Sequence, residues 1–204
     1  MPDHKARVGI LISGRGSNMT ALVDAMRQGR VAAEPAVVVA NVADAPGLAL
    51  AAGWRIPTAV ADHRTIKPRE AHERQVISIL ASHRVDVVCL AGYMRRLSPL
   101  FVGAFPGKIL NVHPSLLPAF PGVHAQHDAL AYGVKVAGCT VHLVDDQVDH
   151  GPIVLQAEVP VLDDDTAESL AARILEREHA IYPQALSLLV DGRLTIDGRR
   201  VHVR

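Results

Sequence analysis

Two polar side chains, Asn111 and His113, end an apolar run in the segment GKILNVHPSLLPAFPG, residues 107–122. Residues two apart in a strand point to the same face of a sheet, so these side chains should lie side by side. An amide donates hydrogen bonds, and an imidazole donates, accepts or carries a proton. Such a pair can stabilise a developing oxyanion and transfer a proton, with the following prolines as a rigid wall. The alternative is a hydrogen-bonded Asn and a core His at a strand end.

An acidic segment, VDDQVDHGPI at residues 144–153, lies between two other apolar runs. Acidic turns are commonly only solvated, and this is the simplest interpretation of Asp145 and Asp146. Asp149 would differ if it reached His113, because a carboxylate beside an imidazole fixes the ring and favours its charged form. The spacing of the residues does not by itself predict that contact.

A glycine-containing loop, SGRGSN at residues 13–18, separates an apolar run from a helical pattern. Gly14 and Gly16 allow a sharp turn, and Ser17 or Asn18 is expected to cap the helix. The N–H groups of a first helical turn form an anion site. The loop is neither a Walker A motif nor a full Gly-x-Gly-x-x-Gly motif, so it favours a single phosphate monoester over a dinucleotide. The alternative is an ordinary strand–helix turn.

Other polar residues carry weaker signals. His124 and His127 stand three apart in HAQH, but no further ligand is evident, so a metal site is disfavoured. Arg95 and Arg96, in GYMRRLSP, follow an apolar run and are expected near the same sheet edge. They would meet an anionic or carbonyl-rich ligand, or they form a solvated basic turn.

The elements that must position these residues alternate through the first half of the chain. Apolar runs of strand length, separated by helical patterns, predict a parallel sheet with helices on both faces. Ligands of such sheets bind in the crevice at the carboxyl ends of the strands. The predicted strands are residues 8–13, 36–42, 56–61, 85–92 and 108–113, and the predicted helices are 18–29, 47–54 and 68–84.

The second half of the chain has a different pattern. Two apolar runs, residues 138–145 and 152–161, are joined by a short loop and are expected to pair antiparallel. A long helix is predicted over residues 166–194, bent or interrupted at Pro183. Asp197 and Gly198 between two β-like runs predict a hairpin. The sequence shows no repeats and no interdomain linker, so residues 1–204 are expected to form one domain.

The composition limits the class of protein. The chain has 204 residues, 49% of them hydrophobic, and its formal net charge is zero. Nothing in this balance indicates binding to nucleic acid or to a membrane surface. We find no signal peptide and no apolar run of transmembrane length. Cys89 and Cys139 both lie in apolar runs, which predicts buried free thiols and a cytoplasmic protein.

Taken together, five segments resemble phosphoribosylglycinamide formyltransferase, in the same order along the chain. They are GILISGRGSNMTAL, VVCLAGYMRRLSP, ILNVHPSLLPAFPG, GCTVHLVDDQVDHGPIVLQ and EREHAIYP, and the resemblance extends from about residue 7 to about residue 194. It implies the α/β formyltransferase fold. A Rossmann-like parallel nucleotide-binding half would cover about residues 7–110, and a mixed-sheet catalytic and folate-binding half about residues 111–204.

The resemblance also implies an activity and the residues for it. The family transfers the formyl group of 10-formyltetrahydrofolate, a co-substrate, to the amine of glycinamide ribonucleotide in de novo purine (IMP) biosynthesis, without a metal. The implied catalytic residues are Asn111, His113 and Asp149; those implied for the ribonucleotide are Gly16, Ser17, Asn18 and Glu178. The implied folate-binding residues are Arg69, Met94, Arg95, Arg96, Leu97, Asn111, Asp145, Asp146, Gln147, Val148 and Asp149.

The implied partners are these small molecules alone, bound by a monomer or homodimer. Two residues add charge beside the implied site: Arg15 in the glycine loop, and His150 next to Asp149. An extra cation at Arg15 would lie beside the phosphate. A second titratable group at His150 would complicate any pH profile assigned to His113.

Three other functions remain as alternatives. A 10-formyltetrahydrofolate deformylase would use the same Asn, His and Asp with water as acceptor. Such enzymes usually carry an N-terminal regulatory domain, for which a first strand at residue 8 leaves no room. A methionyl-tRNA formyltransferase would need a C-terminal tRNA-binding domain, whereas this chain ends in GRRVHVR. A regulator that only binds folate or nucleotide would not need all three catalytic residue types.

Overall fold

The structure, a computed structural model, describes residues 5–204 and follows the predicted order of elements. The strands are β1 (Ala6–Ile12), β2 (Ala33–Ala40), β3 (Thr58–Val60), β4 (Val87–Leu90), β5 (Ile109–His113), β6 (Val136–Leu143), β7 (Ile153–Pro160), β8 (Leu194–Asp197) and β9 (Arg200–Val203). The helices are α1 (Ser17–Arg27), α2 (Pro46–Gly53), α3 (Arg69–Ser82), α4 (Pro99–Ala104), α5 (Ala125–Tyr132) and α6 (Ala167–Val190).

Seven strands form one sheet in the order β3-β2-β1-β4-β5-β6-β7. The pairs from β3 to β5 are parallel, and β6 and β7 are added antiparallel, which confirms the predicted parallel and mixed halves. β8 and β9 form the predicted C-terminal hairpin, with Asp197 opposite Arg200. The register of β5 and β6 sets Asn111 opposite His142 and His113 opposite Thr140.

The two faces of the sheet are covered unequally. On one face, a hydrophobic cluster joins residues of α1, α2 and α6 to strands from β1 to β7, including Val141 and Val159. On the other face, the buried cluster beneath α3 and α4 reaches as far as Ile109 of β5, and beyond β5 only the partly buried Val144, just after β6, packs against it among the described residues. In the described part of the chain, the second helical layer therefore stops at β5, and loops cover β6 on that side. Asn111 and His113 share this loop-covered face with Ile109, since the three residues stand two apart along β5.

Three details differ from the sequence-based expectations. The short helices α4 and α5 have no counterpart among the predicted helices, and α1 has no side-chain cap. The helix predicted to be bent or interrupted at Pro183 is not interrupted there, since α6 runs without a break from Ala167 to Val190. A proline inside a helix costs about 3 kcal/mol. Tyr182 and Leu186 are fully buried on either side of it, and each such side chain contributes about 1.5–3 kcal/mol, which outweighs that cost.

Both cysteines are buried free thiols, as predicted. Within residues 5–204, no helix is long and apolar enough to cross a membrane.

Candidate active site

Asn111 is oriented by a histidine on the neighbouring strand. Its amide Nδ2 lies 3.1 Å from Nε2 of His142, the residue directly opposite on β6. The other ring nitrogen of His142, Nδ1, lies 2.9 Å from the carbonyl of Leu143. A carbonyl can only accept, so Nδ1 carries the hydrogen and Nε2 accepts from Asn111. One of the two amide hydrogens is thus used, and the other remains for a ligand.

The surroundings of His142 favour this neutral acceptor form. The residue is only 2% exposed, and burial lowers the pKa of its imidazole. Hydrogen bonding to the Leu143 carbonyl and the charge of Asp149 oppose that shift but are smaller. Sequence reasoning missed His142, because it stands in an apolar strand. The antiparallel register with β5 was the signal that could have found it.

His113 lies between two loops. One is the proline-rich loop after β5, residues 114–122, and the other is the acidic loop after β6, residues 144–151. Its Nε2 is 2.9 Å from the carbonyl of Phe120, and its Nδ1 is 3.4 Å from Oδ2 of Asp149. The same carboxylate oxygen accepts from the backbone N–H of Gly122 at 2.8 Å. His113 is only 5% exposed, so the Asp149 carboxylate and the Phe120 carbonyl determine how its ring is placed. The contact that the sequence left open, Asp149 to His113, is therefore present.

The backbone of the acidic loop is constrained at Asp149 and at Gly151. Asp149 itself adopts the left-handed region at φ 51°, a conformation that Asp tolerates better than most residues. At Gly151, a Cβ would lie 1.8 Å from the carbonyl oxygen of Leu143. Only glycine allows β6 and the loop end to approach this closely. The tight return of the chain brings Asp149 back over β5.

These groups line a cavity of about 800 Å³ on the loop-covered face of the sheet. Asn111, His113 and Asp149 form part of its wall. All the folate-binding residues implied by the resemblance also line it, together with His142, His150 and the start of the proline-rich loop. A volume of this size is typical of small-molecule sites. The structure thus brings the predicted catalytic and folate-binding residues to one place.

A network of charged groups holds residues 94–98, a segment that contributes to the wall of the cavity. Arg69, at the start of α3, donates to the carbonyl of Arg96 at 3.0 Å and to Glu73 at 3.2 Å. Glu73 is 3% exposed and accepts from both the backbone N–H and the hydroxyl of Ser98. Sequence reasoning missed Glu73, whose role depends on the packing of α3 against this segment. Arg69 is therefore held in place rather than free in solvent.

The glycine loop leads into α1 as predicted, but its capping differs. Gly16 takes the N-cap position at φ 79°, in the left-handed region, and no side chain accepts from the first turn. The expected cap by Ser17 or Asn18 is therefore wrong, because both residues already belong to the helix. The first N–H groups of a helix have no partner within it. The uncapped first turn leaves these donors for an anion.

Asn18 and Glu178 meet beneath this loop, although they are far apart in sequence. The amide Nδ2 of Asn18 donates to Oε2 of Glu178 at 2.6 Å, while its Oδ1 is buried without a partner in the described structure. Burial raises the pKa of Glu178, and the hydrogen bond from Asn18 opposes the shift. Two of the four residues implied for the ribonucleotide thus form one buried polar pair.

A tyrosine on α6 fixes the helix that carries Glu178. The hydroxyl of Tyr182, one turn further on, lies 3.1 Å from the carbonyl of Leu90 and 3.0 Å from that of Leu110. These carbonyls belong to β4 and β5. The position of Glu178 is therefore tied directly to the strands that carry the cavity.

Some predicted residues remain outside these clusters. Arg15 is exposed and makes no hydrogen bond or ion pair within residues 5–204. The side chain of His127 lies 3.3 Å from that of the neighbouring Asp128, and both side chains are largely exposed. In the same described region, no group of three or more His, Cys, Asp or Glu side chains could hold a metal ion. The expectation of a metal-free site remains a prediction.

Comparison with known proteins identifies the family. A family model described as formyl transferase matches residues 6–186. Phosphoribosylglycinamide formyltransferase from Escherichia coli (strain K12) is 42% identical over 199 residues, covering 94% of this chain and 94% of the relative. The trifunctional purine biosynthetic protein adenosine-3 of Drosophila melanogaster is 44% identical over 198 residues. That match covers 96% of this chain but only 15% of the much longer relative.

Solved structures give the same result. Glycinamide ribonucleotide transformylase 1 from Symbiobacterium toebii superposes with a TM-score of 0.96 at 51% identity, over 98% of this chain and 94% of that one. A formyltetrahydrofolate deformylase from Pseudomonas putida KT2440 has a TM-score of 0.90 at 29% identity, and 72% of its chain is covered. The match of sequence and of fold extends over nearly the whole length of the chain. The chain therefore belongs to the formyl transferase family.

Proposed function

We propose that the chain transfers the formyl group of 10-formyltetrahydrofolate to the amine of N1-(5-phospho-β-D-ribosyl)glycinamide, a step of purine (IMP) biosynthesis. The observation that carries the proposal is the approach of Asp149 to His113, 3.4 Å apart, beside Asn111 in the wall of the cavity. The similarity to relatives named for this reaction, over 94% of the E. coli enzyme, supports the choice of substrates.

In the proposed reaction the neutral amine of the ribonucleotide attacks the formyl carbon directly. No Ser or Cys nucleophile is needed, because a neutral amine is itself nucleophilic. The attack forms a C–N bond and converts the formyl oxygen into a tetrahedral oxyanion. The bond from the formyl carbon to N10 of the folate then breaks. A proton leaves the attacking nitrogen and one reaches N10, so the atoms balance.

Asn111 is proposed to stabilise the oxyanion with its free amide hydrogen. The other amide hydrogen is donated to His142, which fixes the side of the amide that faces the cavity. Removing one preorganised donor to an oxyanion typically costs about 100- to 1000-fold in rate. Asn111→Ala is therefore expected to lower kcat by about that factor.

His113 is proposed to assist as a donor to the oxyanion and as a proton carrier, oriented by Asp149. In the structure, its Nε2 donates to the carbonyl of Phe120 and its Nδ1 faces Asp149. For Nε2–H to reach a reacting oxygen, it must leave the Phe120 carbonyl. The proposal therefore includes a small shift of the proline-rich loop when the reaction centre forms.

The ribonucleotide is proposed to bind with its phosphate at the uncapped first turn of α1 and with its glycinamide end at Glu178. The unpartnered first-turn N–H groups support the first assignment. The carboxylate of Glu178, already an acceptor for Asn18, supports the second, since an amine or amide needs an acceptor. Folate is proposed to occupy the cavity between Arg69 and the acidic loop.

A transfer assay with a chelator-treated protein tests the proposal. The protein is mixed with 10-formyltetrahydrofolate, with and without glycinamide ribonucleotide, while folate absorbance and free formate are followed. We expect folate turnover only with the ribonucleotide, and no free formate. Formate release without the ribonucleotide would instead identify a deformylase. Folate binding with no product of either kind would contradict the proposed chemistry.

A further inference from the structure

The tip of the C-terminal hairpin contacts the acidic loop of the cavity. Arg199, in the turn between β8 and β9, donates through Nη2 to the backbone carbonyl of His150 at 2.6 Å. Its Nη1 lies 2.9 Å from Nε2 of the His150 ring and 3.1 Å from Nδ1. One guanidinium therefore holds both the backbone and the side chain of the residue that follows Asp149.

The His150 ring also contacts Asp145, near the start of the same loop. Its Nδ1 lies 2.7 Å from Oδ2 of Asp145. A carboxylate only accepts and a guanidinium only donates, so a neutral ring between them must carry its hydrogen on Nδ1. Nη1 of Arg199 is almost equally far from both ring nitrogens, so the guanidinium lies against the ring, while Nδ1 donates to Asp145. Each of the three side chains then has a polar partner.

The contact closes the loop at its two ends. Asp145 and His150 lie five positions apart in sequence, and the other oxygen of Asp145 accepts from the backbone N–H of Gln147 at 3.0 Å. Between them, Asp149 is held at φ 51° with its carboxylate toward His113. A left-handed non-glycine residue persists where its surroundings over-determine it. The chain of contacts from Arg199 supplies such a constraint.

We propose that Arg199 is a positioning residue, which fixes the conformation of residues 144–151 through His150 and Asp145 and so holds Asp149 against His113. The hairpin β8–β9 is then part of the catalytic apparatus, although it lies outside the residues matched by the family model. The expected effect of Arg199 on turnover rests on the proposed function. Its expected effect on the conformation of the loop is independent of that function.

The expected effect is moderate, because the groups are partly exposed. The side chains of His150 and Asp145 are 42% and 30% exposed, so water screens their contacts. Hydrogen bonds that include a charged group and lie partly in solvent change an equilibrium by about three- to tenfold. Arg199→Ala is therefore expected to raise amide exchange of residues 144–151 by about three- to tenfold.

Hydrogen–deuterium exchange of the full chain tests the loop directly. Wild type, Arg199→Ala and Arg199→Lys are compared with a matched control, Arg200→Ala. Arg200 is exposed on the same hairpin, and its side chain makes no hydrogen bond or ion pair within residues 5–204. We expect the fastest exchange in Arg199→Ala, an intermediate rate in Arg199→Lys, since an ammonium can reach one of the two acceptors, and wild-type exchange in Arg200→Ala. Equal exchange in Arg199→Ala and wild type would overturn the proposal.

A double-substitution cycle separates this contact from a general loosening of the hairpin. If Arg199 acts in part through the His150 ring, the effect of Arg199→Ala on loop exchange should be smaller in a His150→Ala background, where only the contact with the backbone carbonyl of residue 150 remains. Additive effects of the two substitutions would show that Arg199 does not act through the His150 ring.

Turnover gives the second readout. Arg199→Ala is expected to lower kcat by about three- to tenfold, through misplaced Asp149, with the KM for the ribonucleotide unchanged. An inactive wild type would reject the proposed function and leave the exchange result intact. An active wild type with unchanged loop exchange in Arg199→Ala would reject this inference alone.

Discussion

The hydrogen bond between Asn111 and His142 allows a sharp prediction about how the amide is oriented. In His142→Leu, the acceptor at 3.1 Å from Nδ2 is lost. The amide can then turn over, which directs its oxygen instead of its nitrogen to the cavity. A neutral hydrogen bond contributes about 1 kcal/mol, and 1.36 kcal/mol corresponds to a factor of ten. The ratio of correctly oriented to turned-over Asn111 should then fall by about fivefold; with the two orientations about equally populated, kcat should fall by about twofold.

The same substitution should have little effect on folding. Leucine is apolar and of similar size to the 2% exposed His142, and the released amide hydrogen of Asn111 can reach water in the cavity. His142→Gln should restore most of the lost kcat, because its amide oxygen can accept where Nε2 did. His127→Leu, at an exposed histidine on α5, controls for the loss of a histidine as such.

Steady-state kinetics of formyl transfer, with thermal unfolding of each variant, provides the assay. Wild-type kcat in His142→Leu would refute the orienting role. A loss as large as that of Asn111→Ala, about 100- to 1000-fold, would show instead that His142 acts on the reaction itself. No recovery in His142→Gln, in a folded variant, would mean that hydrogen-bond acceptance is not what matters.

Three further predictions concern the same site. Asn tolerates the left-handed conformation of residue 149, so Asp149→Asn should keep the unfolding temperature of the wild type. It should lower kcat about 100-fold, because a neutral amide cannot stabilise His113 when the ring carries a proton. A wild-type kcat would refute this role of Asp149. Gly151→Ala should destabilise by about 2 kcal/mol, or roughly 4–8 °C in thermal unfolding, because its Cβ would meet the Leu143 carbonyl; an unchanged midpoint would contradict this. Burial lowers the pKa of His142 in the folded state, so the unfolded chain binds that proton first and stability is lost as pH falls below about 6.5. His142→Gln should make that loss shallower in urea unfolding above and below this pH, whereas an identical slope would exclude the contribution.

Periodicity predicted the parts of the site that depend on one element. Asn111 and His113 share a face because a strand alternates, and this needs no knowledge of the rest of the fold. The apolar runs likewise predicted the parallel half of the sheet and the antiparallel pair that follows it. These features are local, and local patterns are what a single sequence carries.

Contacts between distant segments could not be predicted in this way. In the sequence, His142 is one polar residue within an apolar strand. Only the register of β5 and β6 shows that it lies opposite Asn111. The expected cap on α1 is wrong because Gly16 takes the cap position, and Asn18 instead donates to a glutamate 160 residues away. Arg199 reaches His150 only because the hairpin folds back beside β7. Each of these depends on the packing of whole elements.

The unequal covering of the sheet links ligand binding to the stability of the fold. The helical layer on one face ends at Ile109, so over β5 and β6 a bound ligand would take the place that a helix occupies elsewhere. A ligand that binds only the folded chain stabilises it by about 2.7 kcal/mol at a hundredfold excess over Kd. The substrate would then complete the covering of the sheet and act as a temporary part of its core.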